Sequence, residues 1–323
     1  MVKFDSKDKK ILYHLKKNSR QSYSSIGKKV GLYRKNVINR VNKLIEHGVI
    51  YSFYTLIDLQ SLGYDTYRFY FNFQYLTPEI KKKIVNELVA DKNSTWITTL
   101  GGQYDFALYI AVKDIFDFYP FWSKFYDKYR YYFSNVSFAI RCLTYFYDLN
   151  FLIDDRKMMT DKSTEILKKG RLKINIDSLD QEILKMISTN PRMKTIDIAD
   201  ELDITSITVA KRFKKLEKNQ IIDGYGIDIN FQKLGFTEYR LDIDLMDTSL
   251  KNKVHDYILD NAIIQLRYIS IGDAADLEYE IIIQNVNQLH NLMVKISNKI
   301  PNSIKNYRYH YTVLRHKGEE IIY

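Results

Sequence analysis

The chain holds a single cysteine, Cys142, among 323 residues. One thiol excludes an intrachain disulfide and a cysteine-built metal cage, and it fits a reducing compartment. Four prolines and 12 glycines are too few for a low-complexity chain. No uninterrupted apolar run approaches the ~18 residues a membrane-spanning helix needs. The opening stretch MVKFDSKDKK has no apolar core of the secretory type. A cytoplasmic protein, neither secreted nor membrane-bound, is the expectation. There is no Gly-rich phosphate loop, no Gly-x-Ser-x-Gly elbow and no His-Glu-x-x-His. The six histidines, His14, His47, His255, His290, His310 and His316, fall at no metal-ligand spacing. No cofactor, no metal and no catalytic residue is therefore expected. Negative charge is also locally scarce. Residues 1–60 hold 13 Lys/Arg against 4 Asp/Glu, which accounts for nearly all of the net +10. Positive charge concentrated in that way is a footprint for a polyanion.

What is present is a globular composition, 46% apolar, with length for two or more cores. The most informative stretch runs from Ser19 to Ile50. A short helix carries Ile26 and Val30, Gly31 breaks it, and a longer helix follows from about Arg34 until Gly48 stops it. On the longer helix Val37, Val41, Leu44 and Ile45 form one apolar stripe at a 3.6-residue period. Lys35, Asn36, Asn39 and Lys43 gather on the opposite face with Arg40 at its shoulder, and no acid precedes Glu46. A buried stripe backed by Lys, Arg and Asn suits the major groove of double-stranded DNA. The cations answer phosphates or guanine, and the amides answer base edges. Arg34, Arg40 and Lys43 are the candidate phosphate or guanine contacts, and Asn36 and Asn39 the candidate base readers.

A first helix over Asp5–Asn18 packs on that pair, and the segment after Gly48 reads as the strands of a wing. From Tyr67 the pattern becomes βαββαβ, with an aromatic helix at about Ile115–Tyr132 whose Phe118, Trp122, Phe125 and Tyr129 belong to a core or a subunit contact. The charged residues 154–176 read as a linker. Then the order returns. At a shift of 172 residues Asp8/Asp180, Ile11/Ile183, Arg20/Arg192, Val37/Val209, Arg40/Arg212, Lys43/Lys215 and Arg68/Arg240 are identical. One residue is lost later, so that LGGQYDFALYI aligns with IGDAADLEYEI and pairs Gly101 with Gly272 and Asp105 with Asp276. Two copies of a two-part module follow.

Residues 5–50 resemble the DNA-binding part of the leucine-responsive/asparagine (Lrp/AsnC) regulators. The resemblance rests on Asp-x-x-Ile-Leu, an Arg before helix two, Gly-Leu before helix three, and Arg-Val-x-x-Leu ending in Gly-Val-Ile. The βαββαβ half resembles that family's RAM domain, with Gly102-Gln103-Tyr104-Asp105 as its Gly-x-x-Asp turn. The resemblance implies an α+β fold in two copies, each a winged helix-turn-helix followed by a ferredoxin-like RAM domain. The boundaries are 1–63, 64–153, 177–235 and 236–323, with the linker between. It also implies RAM sheets that pair face to face, and small ligands, often amino acids, near the turns. Backbone amides at Gly101, Gly102 and Gly272 would meet a carboxylate, and Asp105 or Asp276 an amine. A homodimer using the sheet edges and the helix around Trp122 is expected.

The second copy departs from the pattern. Its recognition helix keeps Lys211, Arg212 and Lys215, but Ile207 replaces Lys35, and Asp200 and Glu201 replace Lys28 and Lys29. DNA binding is therefore expected mainly from the first copy. The function expected is that of a sequence-specific transcription regulator. Its rivals are an enzyme on the same scaffold, since siroheme decarboxylases are similar in fold, and an architectural protein that binds DNA without sequence choice.

Overall fold

The structure is a computed structural model and describes residues 4–153 and 174–318. Residues 154–173 of the expected linker lie outside that range. The first copy runs α1 (Ser6–Lys17), α2 (Tyr23–Val30), α3 (Arg34–Glu46), β1 (Ile50–Ile57), β2 (Asp65–Phe73), α4 (Pro78–Ala90), β3 (Ser94–Gly102), β4 (Phe106–Val112), α5 (Ile115–Tyr129) and β5 (Phe133–Phe146). The second runs α6 (Ser178–Thr189), α7 (Thr195–Glu201), α8 (Ser206–Lys218), β6 (Ile222–Ile229), β7 (Thr237–Leu245), α9 (Lys251–Asn261), β8 (Ile263–Gly272), β9 (Leu277–Ile283), α10 (Val286–Lys299) and β10 (Ile304–Gly318). Among the described residues no helix is long and apolar enough to cross a membrane.

Local chemistry explains the helical units. Asp5 accepts the Asp8 amide while the Asp8 carboxylate accepts the Asp5 amide, a reciprocal box that opens α1. Ser22 accepts from the Ser25 amide at 3.1 Å and opens α2. Gly31 ends α2 at a φ of +67°. The second copy keeps that turn with Asp203 at +50°, so the loss of glycine costs backbone strain without changing the path. Ile11, Leu12, Leu15, Ile26, Val37, Val41 and Leu44 are buried together.

The wing differs from expectation. Each copy contributes one strand only, and β1 pairs antiparallel with β6 of the other copy. After Ile57 the chain turns directly toward β2, so no second strand of its own copy is available, and an unpaired strand finds its counterpart. The cores cross over accordingly. Ile227 and Ile229 of β6 pack with α1–α3, while Ile57 of β1 packs with α6–α8.

The two RAM sheets do not stay open. Their eight strands close into a barrel in the order β10-β3-β4-β2-β5-β8-β9-β7. The junctions are β10–β3, with His310 opposite Gly102, and β5–β8, with Ala139 opposite Gly272. The sheet edges expected to remain for a second chain are thus consumed inside one chain. Side chains of β2 divide by parity. Tyr67, Phe69 and Phe71 face α4 and α5 in an aromatic core with Phe118, Phe125 and Tyr129, while Arg68 and Tyr70 point into the barrel.

The barrel interior is polar and ion-paired, although Arg68 Nε and His310 Nδ1 are buried without a hydrogen-bond partner. Arg68 Nη2 lies 2.8 Å from Glu278 Oε1, and its repeat counterpart Arg240 reaches the same oxygen at 3.0 Å. Arg240 Nε also meets Asp242 at 2.8 Å, and Ser270 donates to Glu278 at 2.6 Å. His310 is buried, 3.1 Å from the Tyr70 hydroxyl, and burial pushes it down to about 3, so the ring is neutral. Thr66, Arg68, Tyr109, Arg141, Arg240 and Tyr268 line a cavity of about 10 Å3, space for about one water. Glu278, 1% exposed, is the shared counterion of two guanidiniums. Glu278→Leu strands both charges, and the expected loss is about 3–5 kcal/mol in urea unfolding. A loss within about 1 kcal/mol would show that the pairing contributes little.

Candidate nucleic-acid interface

Helix α3 buries Val37, Val41 and Leu44 and leaves Arg34, Lys35, Asn36, Asn39 and Lys43 exposed along its other side. Its N-terminus has no side-chain cap and no acid in the first turn, and Tyr33 beside it is 83% exposed. Free amides and cations together favour an anion at that end.

Arg40 has a different engagement. Its Nη1 lies 2.7 Å from Asp8 and 2.9 Å from Asp5, so it ties α3 to the start of α1. The hydrogen bond to Asp8 holds its proton more firmly than in a free arginine. Arg212 repeats the tie with Asp177 and Asp180, and Lys215 adds 2.8 Å to the buried Asp180. The identity of Arg40 with Arg212 across the repeat therefore has a structural cause. The expected contact of Arg40 with phosphate or guanine would compete with two carboxylates. On α8, Lys211, Lys214 and Lys218 are exposed, and Ile207 stands 67% exposed where α3 has Lys35.

The two helical units are locked to each other. Arg20 Nη1 donates to the Pro191 carbonyl at 2.6 Å and lies over the rings of Phe213 and Tyr225. Arg192, its counterpart, donates to the carbonyls of Ser19 and Gln21 and lies 4.1 Å from the Tyr23 ring centroid. Thr55 of β1 donates to Ile187 of α6 at 2.6 Å. The signal for this interlock was visible as the Arg20/Arg192 identity, but its reach across the copies required the fold.

The turns have structural work of their own. Gly102 has a φ of +109°, and a Cβ there would sit 2.5 Å from the Tyr309 carbonyl oxygen of β10. Gly272, at +108°, faces the Phe138 oxygen at 2.7 Å in the same way. Gly102, not Gly101, is thus the counterpart of Gly272, and the extra residue of GDAAD lies within the turn. The Gln103 amide donates to Tyr309 at 3.0 Å and the Asp273 amide to Phe138 at 2.8 Å. Asp105 accepts the Phe73 amide at 2.8 Å, and Asp276 accepts the Leu245 amide at 2.8 Å. Barrel closure accounts for both glycines, and bonds to amides of their own copy account for both carboxylates.

Comparison with known proteins agrees with this geometry. A winged helix-turn-helix DNA-binding family model matches residues 4–51 and 176–223, one match per copy. The HTH-type transcriptional regulator LrpB of Bacillus subtilis is 30% identical over 141 residues, 43% of this chain and 95% of that protein. LrpA of Pyrococcus horikoshii is 35% identical over 100 residues, 30% of this chain and 70% of that protein. Among solved structures, the siroheme decarboxylase NirDL superposes over 98% of this chain and 94% of its own, with a TM-score of 0.62. Its 12% identity shows a shared tandem fold and no more. With both helical units matched and relatives aligned over most of their length, the chain belongs to the Lrp/AsnC family of HTH-type transcriptional regulators.

Proposed function

We propose that this regulator binds double-stranded DNA in a sequence-dependent way, chiefly through α3. The observation that carries the reading is the exposed face of Arg34, Lys35, Asn36, Asn39 and Lys43, which is free of acids as far as Glu46. Lysines and Arg34 supply phosphate contacts and the asparagines read base edges. Because Arg20 and Arg192 fix one helical unit against the other, α3 and α8 approach DNA as one rigid pair, as the two halves of a dimeric regulator do. The tandem chain supplies both halves itself, and the closed barrel offers a homodimer no strand edge. An amino acid at the Gly101–Asp105 or Gly272–Asp276 turn would compete with the Phe73 and Leu245 amides, so the DNA reading stands without one. The regulator reading is preferred to an enzyme because the relatives that align are regulators, whereas the decarboxylase likeness is one of fold. A porphyrin-type absorbance band in purified protein would reverse that preference.

Selection of bound sequences from a random DNA pool should yield a preferred site, and random DNA should compete poorly with it. Lys35→Ala with Lys43→Ala should weaken binding to all sequences and lower the salt slope by about one unit for each phosphate no longer neutralised. Arg40→Ala, by contrast, should lower the unfolding midpoint by a few degrees, because it unties α3 from α1. If Arg40→Ala left stability unchanged and abolished DNA binding, the tether assignment would be wrong. Lys211→Ala with Lys214→Ala, both exposed on α8, should cost less affinity than the first-copy pair. Equal losses would overturn the asymmetry between the copies.

A further inference from the structure

Phe69, Ile115, Phe118, Tyr119, Trp122, Tyr126, Val136 and Phe138 line an open-sided pocket of about 390 Å3 between α5 and the outer face of β2 and β5. That volume lies within the range of small-molecule sites. The Phe69 ring stacks on Trp122 at 4.6 Å and meets Phe138 at 5.0 Å, forming the floor and one wall. Pro120 withholds a backbone N–H from the middle of α5. Tyr119, 62% exposed, stands at the mouth.

The second copy shows what this space takes. At the position of Val136 it has Tyr307, whose hydroxyl lies 3.2 Å from Nδ1 of His290, the counterpart of Tyr119 on α10. Beneath them Leu289 and Met293, in place of Phe118 and Trp122, are only 1% and 3% exposed. The second copy thus places a partly buried phenol ring beside the helix and satisfies the polar edge of that ring there. The first copy has Val136 at that position and aromatic walls around it. None of the lining side chains is charged, so a carboxylate or ammonium entering there would lose its hydration without compensation. A ring stacked on Phe69, Phe138 and Trp122 would gain burial and favourable ring contacts.

We propose that the cavity under α5 binds a small uncharged aromatic molecule, one ring or two fused rings with a single polar edge, in the first copy only. The effector role of this site deepens the regulator reading and rests on it. The binding itself is measured without DNA, so failure of either is seen separately. The probe is 2-naphthol, titrated calorimetrically into the full chain, with one saturable equivalent per chain expected. Tyr119→His with Val136→Tyr installs the second copy's plug and should weaken binding at least tenfold while the thermal midpoint and DNA binding are kept. Val136→Phe, a smaller insertion into the same space, should also weaken binding and serves if the double variant fails to fold. No saturable heat, two equivalents per chain, or unchanged affinity in the plugged variants would overturn the proposal. A dimer in light scattering that the plug dissociates, with no 2-naphthol bound, would place a second chain there instead and would likewise overturn it.

Discussion

Strand pairing between the two copies is the constraint on which the rest of the molecule depends. It happens three times, at β1–β6, β5–β8 and β10–β3. An antiparallel four-stranded sheet has two edges, and each edge exposes a row of backbone donors and acceptors that other chains can pair with. Here the edges of each sheet are taken by the other copy of the same chain, so the barrel has none left. The close approach this requires explains residues that would otherwise invite a functional reading. Gly102 and Gly272 permit one backbone to pass within contact of another, and Asp105 and Asp276 hold the turn that follows.

Closure also explains why the interior is charged. Arg68 and Arg240 occupy equivalent positions on equivalent strands, so the pseudo-twofold relation brings two like charges toward one place. Two guanidiniums alone in a low-dielectric interior would be prohibitive. Glu278 and Asp242 resolve the conflict, and both belong to the second copy. The neutralising groups are therefore asymmetric although the arginines are symmetric. A copy paired with an identical copy would not have this arrangement, and it favours the two halves of one chain over two first halves.

Much of the architecture was legible in the sequence because it is carried by periodicity and repetition. The stripe of Val37, Val41 and Leu44 defines α3 on its own, and the 172-residue shift defines the tandem. What was not legible involved partners distant in sequence. The alternation after Gly48 indicates a strand, but nothing in it says that the strand pairs with residues 222–229 and not with a neighbour. Arg40 reads as a free cation on a helical projection, and only the approach of α1 brings Asp5 and Asp8 to it. The Gly-x-x-Asp turn reads as a ligand loop as readily as a closure device, since both uses need backbone amides and a carboxylate at the same spacing. Tertiary proximity separates these readings, and local pattern does not contain it.

Fusion of the two halves has one further physical consequence. In a homodimer each substitution appears twice, so a site cannot lose its plug on one side and keep it on the other. In a tandem chain each position is independent. The first copy has Lys35, Lys28 and Lys29 where the second has Ile207, Asp200 and Glu201, and the interlock of Arg20 and Arg192 still holds both units in place. The same freedom applies under the outer helices, where Tyr307 bonds to His290 in one copy and Val136 and Tyr119 line a pocket in the other. Symmetry is retained where it carries the barrel and the helical lock, and relaxed on exposed faces such as those of α3 and α8. A chain built this way can differ from copy to copy at its exposed faces on a frame that needs both copies to stand.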